Sequence, residues 1–574
     1  MRAHPIWPLL ATLRAYDRDQ AGGDLLAALL VCLLLVPQAL AYAQLAGLPA
    51  VVGLSASILP LLVYALLGGS PGVAQALGPV AILALMTAAA LAPVAEAGSA
   101  AYVAAAGLLT LLVGLSLLLM SLLRLGVLAN FLSHPVISGF VSGAAILIAA
   151  SQLKHLLGVQ AAGVTLPQLL PALLAQLPAV QGPSLGLGVA SLLLLLLLRH
   201  LARFGVPARL AARLRQFSAL LLVILASLLV ALWPLAGVAV VGQVTAGLPP
   251  FDLPPLDWRL LRELWPAALL IALVGFVESV SIAQSLATRK RQSINPDREL
   301  LGLGAANLAA ACSGGMPVAA SFSRSALALH GSVATPLVGL FAAALMLAAV
   351  LGLAPLLRYL PQAALAASIL VAVLGLLDLQ ALRRTWRYSR QDGAAQVATL
   401  VAVLLLGVET GIVLGVGLSL LLFLWRTSRP HMALVGQVPG SQHFRNVERY
   451  QVVQSPSVLS LRVDESLYFP NARYLEERIG ELIATRPQVR HLVLMCPGVN
   501  LIDASALDSL EAIAERLSSA GVQLHLSEVK GPVMDRLKRS DFLARFGGQV
   551  FVSQYEALRV LDPASVAQAA GGTA

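Results

Sequence analysis

Long apolar runs separated by short polar loops dominate the chain as far as Arg429. A bilayer core of about 30 Å needs roughly 20 apolar residues in an α-helix, so each long run predicts a membrane span. Beyond Arg429 the apolar runs shorten to strand length and charges are interspersed, which predicts a soluble α/β domain. The pattern predicts about fourteen membrane segments, near residues 24–45, 50–69, 79–92, 100–123, 135–157, 184–198, 217–240, 264–287, 297–312, 321–331, 333–353, 362–379, 394–408 and 410–425.

The composition supports a membrane protein and excludes several other classes. Of the 574 residues, 58% are hydrophobic and 11% are charged, whereas soluble proteins usually carry about 25% charged residues. The first apolar run has no small-residue cleavage site after it, so it predicts a first span and not a removable signal. Cys32, Cys312 and Cys496 stand far apart, and we expect no disulfide, metal site or cofactor. The chain has no P-loop, which argues against an ATP-driven pump.

Basic residues indicate the orientation of the segments. The net charge is +10, but Lys and Arg lie in short clusters between apolar runs, as in cytoplasmic loops, so we expect no nucleic-acid partner. The clusters recur at every second loop, which predicts an even number of segments with both termini cytoplasmic, in a bacterial inner (plasma) membrane. The clustered residues are Arg2, Arg14 and Arg18; Arg124; Arg199, Arg203, Arg209, Arg213 and Arg215; Arg289, Lys290 and Arg291; Arg383, Arg384, Arg387 and Arg390; and Arg426 and Arg429.

Two segments, 79–92 and 321–331, are too short to span a bilayer alone, and each follows a Gly/Pro-containing motif. Such segments at matching places in two halves are typical of transporters built from inverted repeats. Segments one and eight start about 240 positions apart, as do segments three and ten, which is the equal offset expected of a duplicated unit. A kink in an ordinary packed helix is the alternative interpretation of each segment.

The N-termini of the two half-helices are candidate anion ligands. Each would present unpaired backbone N–H groups and a partial positive charge to a shared cavity. Pro79 suits a first helical position, and Gly78 allows close approach of a backbone or ligand. Gln38 and Tyr42 lie one helical turn apart on segment one and share a face. The candidate substrate-binding residues are Gln38, Tyr42, Gly78, Pro79, Val80, Ala81, Ser321, Phe322, Ser323 and Arg324.

Arg324 and Glu278 are charged residues placed well inside membrane segments, where an unpaired charge costs about 2.5–3.5 kcal/mol or more. Arg324 is interpreted as an aid to anion binding; the alternative is a structural arginine paired with a carbonyl or with Glu278. A carboxylate beside an anion site repels the substrate unless it is protonated, paired or bound to a cation. Glu278 is therefore the candidate coupling residue, together with Ser281 on the same segment.

The soluble part alternates strands with amphipathic helices. Strands are predicted at 457–463, 491–496 and 522–527, and helices at 472–484, 505–520 and 532–545. Ser505 lies at or near a helix N-terminus, where a phosphate would be favoured, so it is a candidate phosphorylation site. The interpretation that we prefer is that Asp503 or Ser505 caps the helix.

Several stretches resemble the sulfate permease (SulP) family, also called solute carrier family 26. They are Pro37–Ala43; Val274–Ser279 through Ala287–Lys290; Ile294–Leu300; Gly304–Asn307; Ser321–Ala326; and, for the terminal STAS domain, Leu467–Ala472 and Ile502–Ser505. The resemblance extends over nearly the whole chain. It implies two inverted seven-segment repeats, a core domain that carries the anion site, a gate domain, elevator-like alternating access and a homodimer.

The resemblance also bears on individual residues. Glu278 is similar to an acidic sodium ligand of sodium-coupled bicarbonate members, but Ile282 stands where those members tend to have a hydroxyl. Proton coupling is therefore favoured over sodium coupling. Arg324 matches a basic residue that mammalian members place at the anion site. The stretch Asp503–Ala506 lacks the serine-glycine pair typical of phosphorylated bacterial STAS regulators, which weakens the case for a phosphorylated Ser505.

Together these features predict an α-helical polytopic membrane protein with a C-terminal cytoplasmic α/β STAS domain. The expected divisions are an N-terminal segment 1–20, a transport domain 21–430, a STAS domain 440–565 and a tail 566–574. The expected function is secondary active, proton-coupled transport of a small inorganic anion, with sulfate as the leading substrate, and not an enzyme activity. Bicarbonate transport, dicarboxylate transport and anion exchange are same-family alternatives. A nucleobase permease should lack the STAS domain, and a membrane-anchored STAS sensor would need no half-helices.

Overall fold

The protein is described by a computed structural model. It describes residues 16–571 except for 69–75, 131–132, 202–206, 208–209, 212–213, 216, 234, 243–250, 290, 322–323, 326–334 and 336. Two compact units are present, divided between Ser419 and Leu420.

Helices make up nearly all regular structure of the first unit. They are α1 (Arg18–Leu45), α2 (Ala50–Ser55), α3 (Leu59–Leu67), α4 (Ala81–Leu91), α5 (Ala100–Leu122), α6 (His134–Leu157), α7 (Leu166–Ala175), α8 (Gly182–His200), α9 (Ser218–Leu232), α10 (Trp258–Arg289), α11 (Pro296–Cys312), α12 (Leu337–Leu357), α13 (Gln362–Leu374), α14 (Leu379–Tyr388), α15 (Arg390–Leu406) and α16 (Val408–Ser428), with two short strands, β1 (Leu77–Gly78) and β2 (Ala319–Ala320).

Many of these helices are suited to a bilayer. In the described part of the chain, eight helical stretches are long and apolar enough to cross a membrane, and four further apolar helices are shorter, among them α4 at Ala81–Leu91. The predicted helical membrane fold is thus confirmed, although individual segments differ from the prediction. Segment 362–379 is broken after Leu374, where α13 ends, and a separate helix α14 follows. Segment 321–331 lies largely outside the described residues.

The helices of the first unit pack in two main sets. In one set, α5 packs against α10 and α11, α11 also packs against α3, and α1 packs against α12. In the other set, α6 packs against α13 and α15, and α13 also packs against α8. The first set draws its helices from both halves of the sequence, which is the arrangement that an intertwined pair of repeats produces.

The two short strands connect the halves of the first set. Strand β1 pairs antiparallel with β2, with Leu77 opposite Ala320 and Gly78 opposite Ala319. Helices α1 and α10, which begin at Arg18 and Trp258, start 240 positions apart, in agreement with the offset expected from sequence. Strand β1 leads into α4, and Arg324 and Ser325 are helical shortly after β2.

The second unit contains a six-stranded sheet with strand order β4-β3-β5-β6-β7-β8, in which β5 to β8 run parallel and β3 runs antiparallel to β5. Its strands are β3 (Met432–Gln437), β4 (Phe444–Asn446), β5 (Val458–Val463), β6 (His491–Met495), β7 (Gln523–Ser527) and β8 (Val550–Phe551). Its helices after α16 are α17 (Phe469–Ala484), α18 (Ala504–Ser519), α19 (Gly531–Leu537), α20 (Phe542–Arg545), α21 (Gln554–Leu561) and α22 (Pro563–Gly571).

Apolar side chains alternate between the two faces of this sheet. Leu492 and Leu494 of β6 pack with α17 and α18, while Val493 and Met495 pack with α21 and α22. This period of two buries both faces and gives the α/β layer arrangement predicted from sequence. The predicted helix 532–545 is two helices, α19 and α20, and strands β3, β4 and β8 were not predicted.

Candidate functional site

Arg324 lies where β1, β2 and α1 meet, and its side chain is completely buried. Its Nη1 donates to the Gln38 side-chain oxygen at 2.8 Å and to the Pro79 carbonyl at 3.1 Å. Its Nε donates to the Ala76 carbonyl at 3.5 Å. The arginine of one half of the sequence is thus held by residues of the other half.

The remaining nitrogen of this guanidinium, Nη2, has no partner in the part of the chain that the structure describes. Nη2 of Arg324 is buried and makes no hydrogen bond to the residues that the structure describes. It lies beside Gly78, where an added Cβ would be 3.4 Å from Nη2 and only 2.7 Å from the Leu35 side chain. Glycine at this position therefore keeps space in front of a positively charged donor. A buried donor that is left without a partner in the protein can bind an anion.

The N-terminus of α4 lies next to this arginine. Val80 is the N-cap of the helix, which begins at Ala81, and among the described residues no side-chain cap bonds its first turn. The N–H groups of a first turn lack acceptors within their own helix and carry partial positive charge. Pro79 is not at the first helical position as expected, because it lies one residue before the N-cap. Pro79 contributes the carbonyl that accepts a hydrogen bond from Arg324.

Glu278 and Tyr42 belong to the same electrostatic cluster. The charge of Arg324 acts on both groups. One carboxylate oxygen of Glu278, Oε2, is buried without a hydrogen-bond partner among the described residues, while Tyr42 is 8% exposed. Ser281 lies one helical turn after Glu278 on α10, is exposed and donates its hydroxyl to the Val277 carbonyl. The structure therefore brings together Gln38, Arg324, Glu278 and Tyr42, and the coupling role of Ser281 stays a prediction.

The predicted half-helix after β2 is only partly described. Ser321 is half-buried directly after β2. Phe322 and Ser323 lie outside the described residues, so their roles stay predictions.

Three polar side chains that sequence analysis did not assign hold the strand pair in place. The Ser279 hydroxyl accepts a hydrogen bond from the Ala320 amide at 3.1 Å, and the Ser325 hydroxyl accepts one from the Ala76 amide at 3.0 Å. Asn307 bonds both the amide and the carbonyl of Val318, each at 3.0 Å. All three side chains are buried. Their position in otherwise apolar segments was the available signal, since polar groups inside a membrane need partners.

In the second unit, Asp503 is the N-cap of α18. One of its oxygens accepts from the Ala506 amide at 2.9 Å, and the other accepts from the Phe469 amide at 2.9 Å. Ser505 is exposed in the first turn of the same helix. The capping interpretation thus accounts for Asp503, and phosphorylation of Ser505 stays a prediction. Over the described residues, no group of three or more potential metal ligands is found.

Comparison with known proteins now identifies the family. A model of the sulfate permease family matches residues 22–399. The chain belongs to the sulfate permease family. A STAS domain model matches residues 449–557 of this sulfate permease family member. The resemblance found in the sequence is therefore confirmed, and the protein belongs to a family of transporters and not of enzymes.

Named relatives of this family member include sulfate transporters. A probable sulfate transporter of Mycobacterium tuberculosis is 36% identical over 544 residues, covering 94% of this chain and 95% of the relative. The chloroplastic sulfate transporter 4.1 of Arabidopsis thaliana is 32% identical over 569 residues, covering 97% of this chain and 82% of the relative.

Solved structures share its fold. Murine Solute Carrier 26 family member A9, an anion transporter solved in the inward-facing state, superposes with a TM-score of 0.87 at 22% identity, covering 98% of this chain and 96% of that one. The transmembrane domain of a cyanobacterial bicarbonate transporter, BicA, gives a TM-score of 0.60 at 22% identity, covering 70% of this chain and 99% of that domain. The predicted fold class, a helical membrane domain with a C-terminal STAS domain, is confirmed.

Proposed function

We propose that this sulfate permease family member is a secondary active transporter of a small inorganic anion, with sulfate as the leading substrate. The observation that carries the proposal is the buried Nη2 of Arg324, which has no partner among the described residues and lies beside Gly78 and the N-terminus of α4. A guanidinium and backbone N–H groups suit an oxyanion, because both donate hydrogen bonds to its oxygens. Sulfate is preferred to bicarbonate or a dicarboxylate since the named sequence relatives are sulfate transporters.

The proposed coupling ion is the proton. The Glu278 carboxylate lies within electrostatic range of Arg324, and its Oε2 has no hydrogen-bond partner among the described residues. A proton on Glu278 removes a negative charge next to the anion site, so anion and proton binding favour each other. Ile282, which is buried, offers no oxygen ligand to a sodium ion.

The proposed transport cycle moves the anion site between the two sides of a bacterial inner membrane. Two observations support elevator-like movement: the site is built within one helix set, and the other set packs mainly within itself. We further propose a homodimer with cytoplasmic termini, on the basis of the family and of the basic clusters at alternate loops.

The test is uptake of labelled sulfate, bicarbonate and fumarate into proteoliposomes, with and without an inward proton gradient and with and without sodium. We expect saturable sulfate uptake that the proton gradient drives and that sodium leaves unchanged. Sodium-dependent uptake would contradict proton coupling, and selective uptake of bicarbonate or fumarate would replace sulfate as the substrate.

Replacement of Glu278 by glutamine tests the coupling role. The glutamine side chain keeps the shape of the glutamate but cannot take up a proton, so we expect Glu278→Gln to exchange anions while proton-driven accumulation falls to the level seen without a gradient. Glu409→Gln is the matched control, because Glu409 is another half-buried carboxylate of the membrane unit and begins a different helix, α16. An unaltered pH response of Glu278→Gln, measured as sulfate accumulation at several external pH values, would rule out this role.

A further inference from the structure

Helix α14 (Leu379–Tyr388) carries three arginines on one side. Gln380, Arg383, Arg384, Arg387 and Tyr388 follow the spacing of a single helical face. Together they line a groove of about 450 Å³. We call Arg383, Arg384 and Arg387 the arginine face. All three side chains are exposed.

The arginine face has no counter-charge within the described part of the protein. None of its guanidinium groups forms an ion pair or a side-chain hydrogen bond there. The carboxylate at the start of the helix, Asp378, is used as the N-cap and accepts from the Ala381 amide at 2.7 Å. Three cations on one face of a ten-residue helix repel one another, so an external anion is favoured at this surface.

Positions outside the arginine face attach α14 to the rest of the unit. Ala381 is buried, and the helix packs against α15 and α6. Trp386 lies directly over Gly393 of α15, where an added Cβ would be 2.9 Å from the Trp386 Cα. This close approach, which requires glycine, holds the helix with its arginine face outward.

Apolar side chains next to the arginine face indicate a membrane surface. Leu379 is 65% exposed and Trp386 is 47% exposed. Around the helix axis, both residues lie next to the edge of the arginine face. Helix α14 connects α13, which is apolar apart from Gln362 and Ser368, to α15, which is largely apolar from Ala394 onward. A short amphipathic helix between two such helices, with Trp and Leu beside Arg, is typical of the lipid headgroup region.

We propose that the arginine face of α14 binds the phosphate headgroup of an anionic phospholipid. Guanidinium groups pair with phosphate through two parallel hydrogen bonds. A zwitterionic headgroup binds them more weakly, because its own cation competes for the phosphate. Each basic residue at an anionic membrane surface strengthens binding by about fivefold, so three together contribute on the order of a hundredfold.

The test uses the purified full-length protein in detergent, titrated with phosphatidylglycerol or phosphatidylcholine and examined by native mass spectrometry. The test variant carries Arg383→Gln, Arg384→Gln and Arg387→Gln. The control variant carries Arg536→Gln, Lys538→Gln and Arg539→Gln, which removes three exposed positive charges from the C-terminal unit. We expect the wild type and the control to prefer phosphatidylglycerol, and the affinity of the test variant for it to fall on the order of a hundredfold.

Three results would overturn the proposal: equal binding of both lipids by the wild type, undiminished phosphatidylglycerol binding by the test variant, or an equal loss in the control. Displacement of the lipid by glycerol phosphate at matched concentration would identify a site for soluble phosphates instead. A second measurement does not depend on the variants. Added salt should weaken binding of phosphatidylglycerol but not of phosphatidylcholine to the wild type, and salt-insensitive binding would contradict an electrostatic headgroup site.

Discussion

Arg324 combines complete burial with incomplete hydrogen bonding. A charge in this environment is costly, and the carbonyls of Ala76 and Pro79 together with the Gln38 side chain compensate only part of the guanidinium. Nη2, which no described residue bonds, is the charged donor that we propose for the ligand. The alternative of a structural arginine paired with carbonyls is thus correct for Nη1 and Nε, and the proposed ligand contact belongs to Nη2.

We predict that Arg324→Ala raises the KM for the transported anion by roughly tenfold to a hundredfold. The variant removes a charged hydrogen bond, which is worth about 1.5–3 kcal/mol. The measurement is the concentration dependence of uptake in proteoliposomes. Arg358→Ala, which removes an exposed arginine of the same unit, is the control. Unchanged uptake at subsaturating anion would exclude Arg324 from the binding site.

A second residue of interest, His525, lies in β7 of the C-terminal unit and is 2% exposed. Its Nδ1 accepts from the Gln549 amide at 3.1 Å, so the ring proton is on Nε2, which lies 3.1 Å from Nδ1 of His491. Burial, and in addition the charge of His491, lower the pKa of His525 to about 4. The folded protein therefore holds His525 neutral at pH values where an unfolded histidine takes up a proton.

We predict that the C-terminal unit loses stability as the pH falls from about 6.5, the ordinary histidine pKa, to about 4. In this window the unfolded chain binds a proton that the folded one does not, and the expected loss is about 2 kcal/mol at pH 5 and about 3 kcal/mol at pH 4. Urea-dependent proteolysis of this unit in the full-length protein, at pH 7 and pH 5, measures the effect. His525→Gln should flatten the pH dependence, whereas His443→Gln, at an exposed position, should retain it. An equal slope in both variants would contradict the prediction.

At the scale of elements, the pairing of β1 with β2 decides where the charged groups meet. Two residues per strand form a weak ladder, so the pair depends on side chains that reach its backbone. The side-chain amide of Asn307 in α11 forms the pair of hydrogen bonds that a neighbouring strand would form. It donates to the carbonyl and accepts from the amide of Val318, which lies directly before β2. Asn307 is therefore a positioning residue for the segment that leads to Arg324.

We predict that Asn307→Ala raises the KM for the anion by roughly tenfold. Each hydrogen bond that is lost lowers the stability of the β2 segment by about 1 kcal/mol, so the segment no longer holds the anion site in place. Asn307→Asp keeps the acceptor for the Val318 amide but places a buried carboxylate against the Val318 carbonyl, so it should raise the KM at least as much as the alanine variant. Ser116→Ala is the control, since Ser116 is buried in α5 but bonds only within its own helix, to the Leu112 carbonyl at 2.7 Å. Concentration-dependent uptake is the measurement, and a normal KM in Asn307→Ala would remove the positioning role.

At the scale of the whole molecule, the chain consists of two units with separate apolar cores. The proposed anion site lies entirely within the first unit, at Gln38, Gly78, Glu278 and Arg324. The second unit has the sheet and helices of a STAS domain and contributes none of these groups.

We predict that a chain ending at Pro430 transports less anion or is produced in smaller amounts, but keeps the same order of preference among sulfate, bicarbonate and fumarate. The physical reason is that every group proposed to contact the anion remains. Uptake per reconstituted protein, measured for the three anions in parallel, provides the comparison with the full chain. A truncated transporter with a switched preference would show that the site has been misplaced.

Much of this organisation follows from the sequence, with limits that have physical causes. Long apolar runs predicted most helices of the membrane unit, and apolar runs of strand length predicted β5, β6 and β7. The break between α13 and α14 was missed because Leu376 and Leu377 continue the apolar pattern across it. Pro79 was placed inside a helix because proline favours the first turn, but its pairing with Arg324 across 245 residues depends on tertiary packing.

The sequence by itself determined the membrane class, the separate α/β domain and the identity of the intramembrane charges, since these depend on local hydrophobicity and on residue type. Only the tertiary structure decided that Gln38, Ala76 and Pro79 would share one guanidinium, and that Asn307, Ser279 and Ser325 would support the strand pair around it. The bonds of Arg324 to Gln38, Ala76 and Pro79, and that of Ser325 to Ala76, join residues more than two hundred positions apart, and such bonds leave no periodic trace in a single sequence. They form when the two halves pack together, because buried polar groups must then find partners.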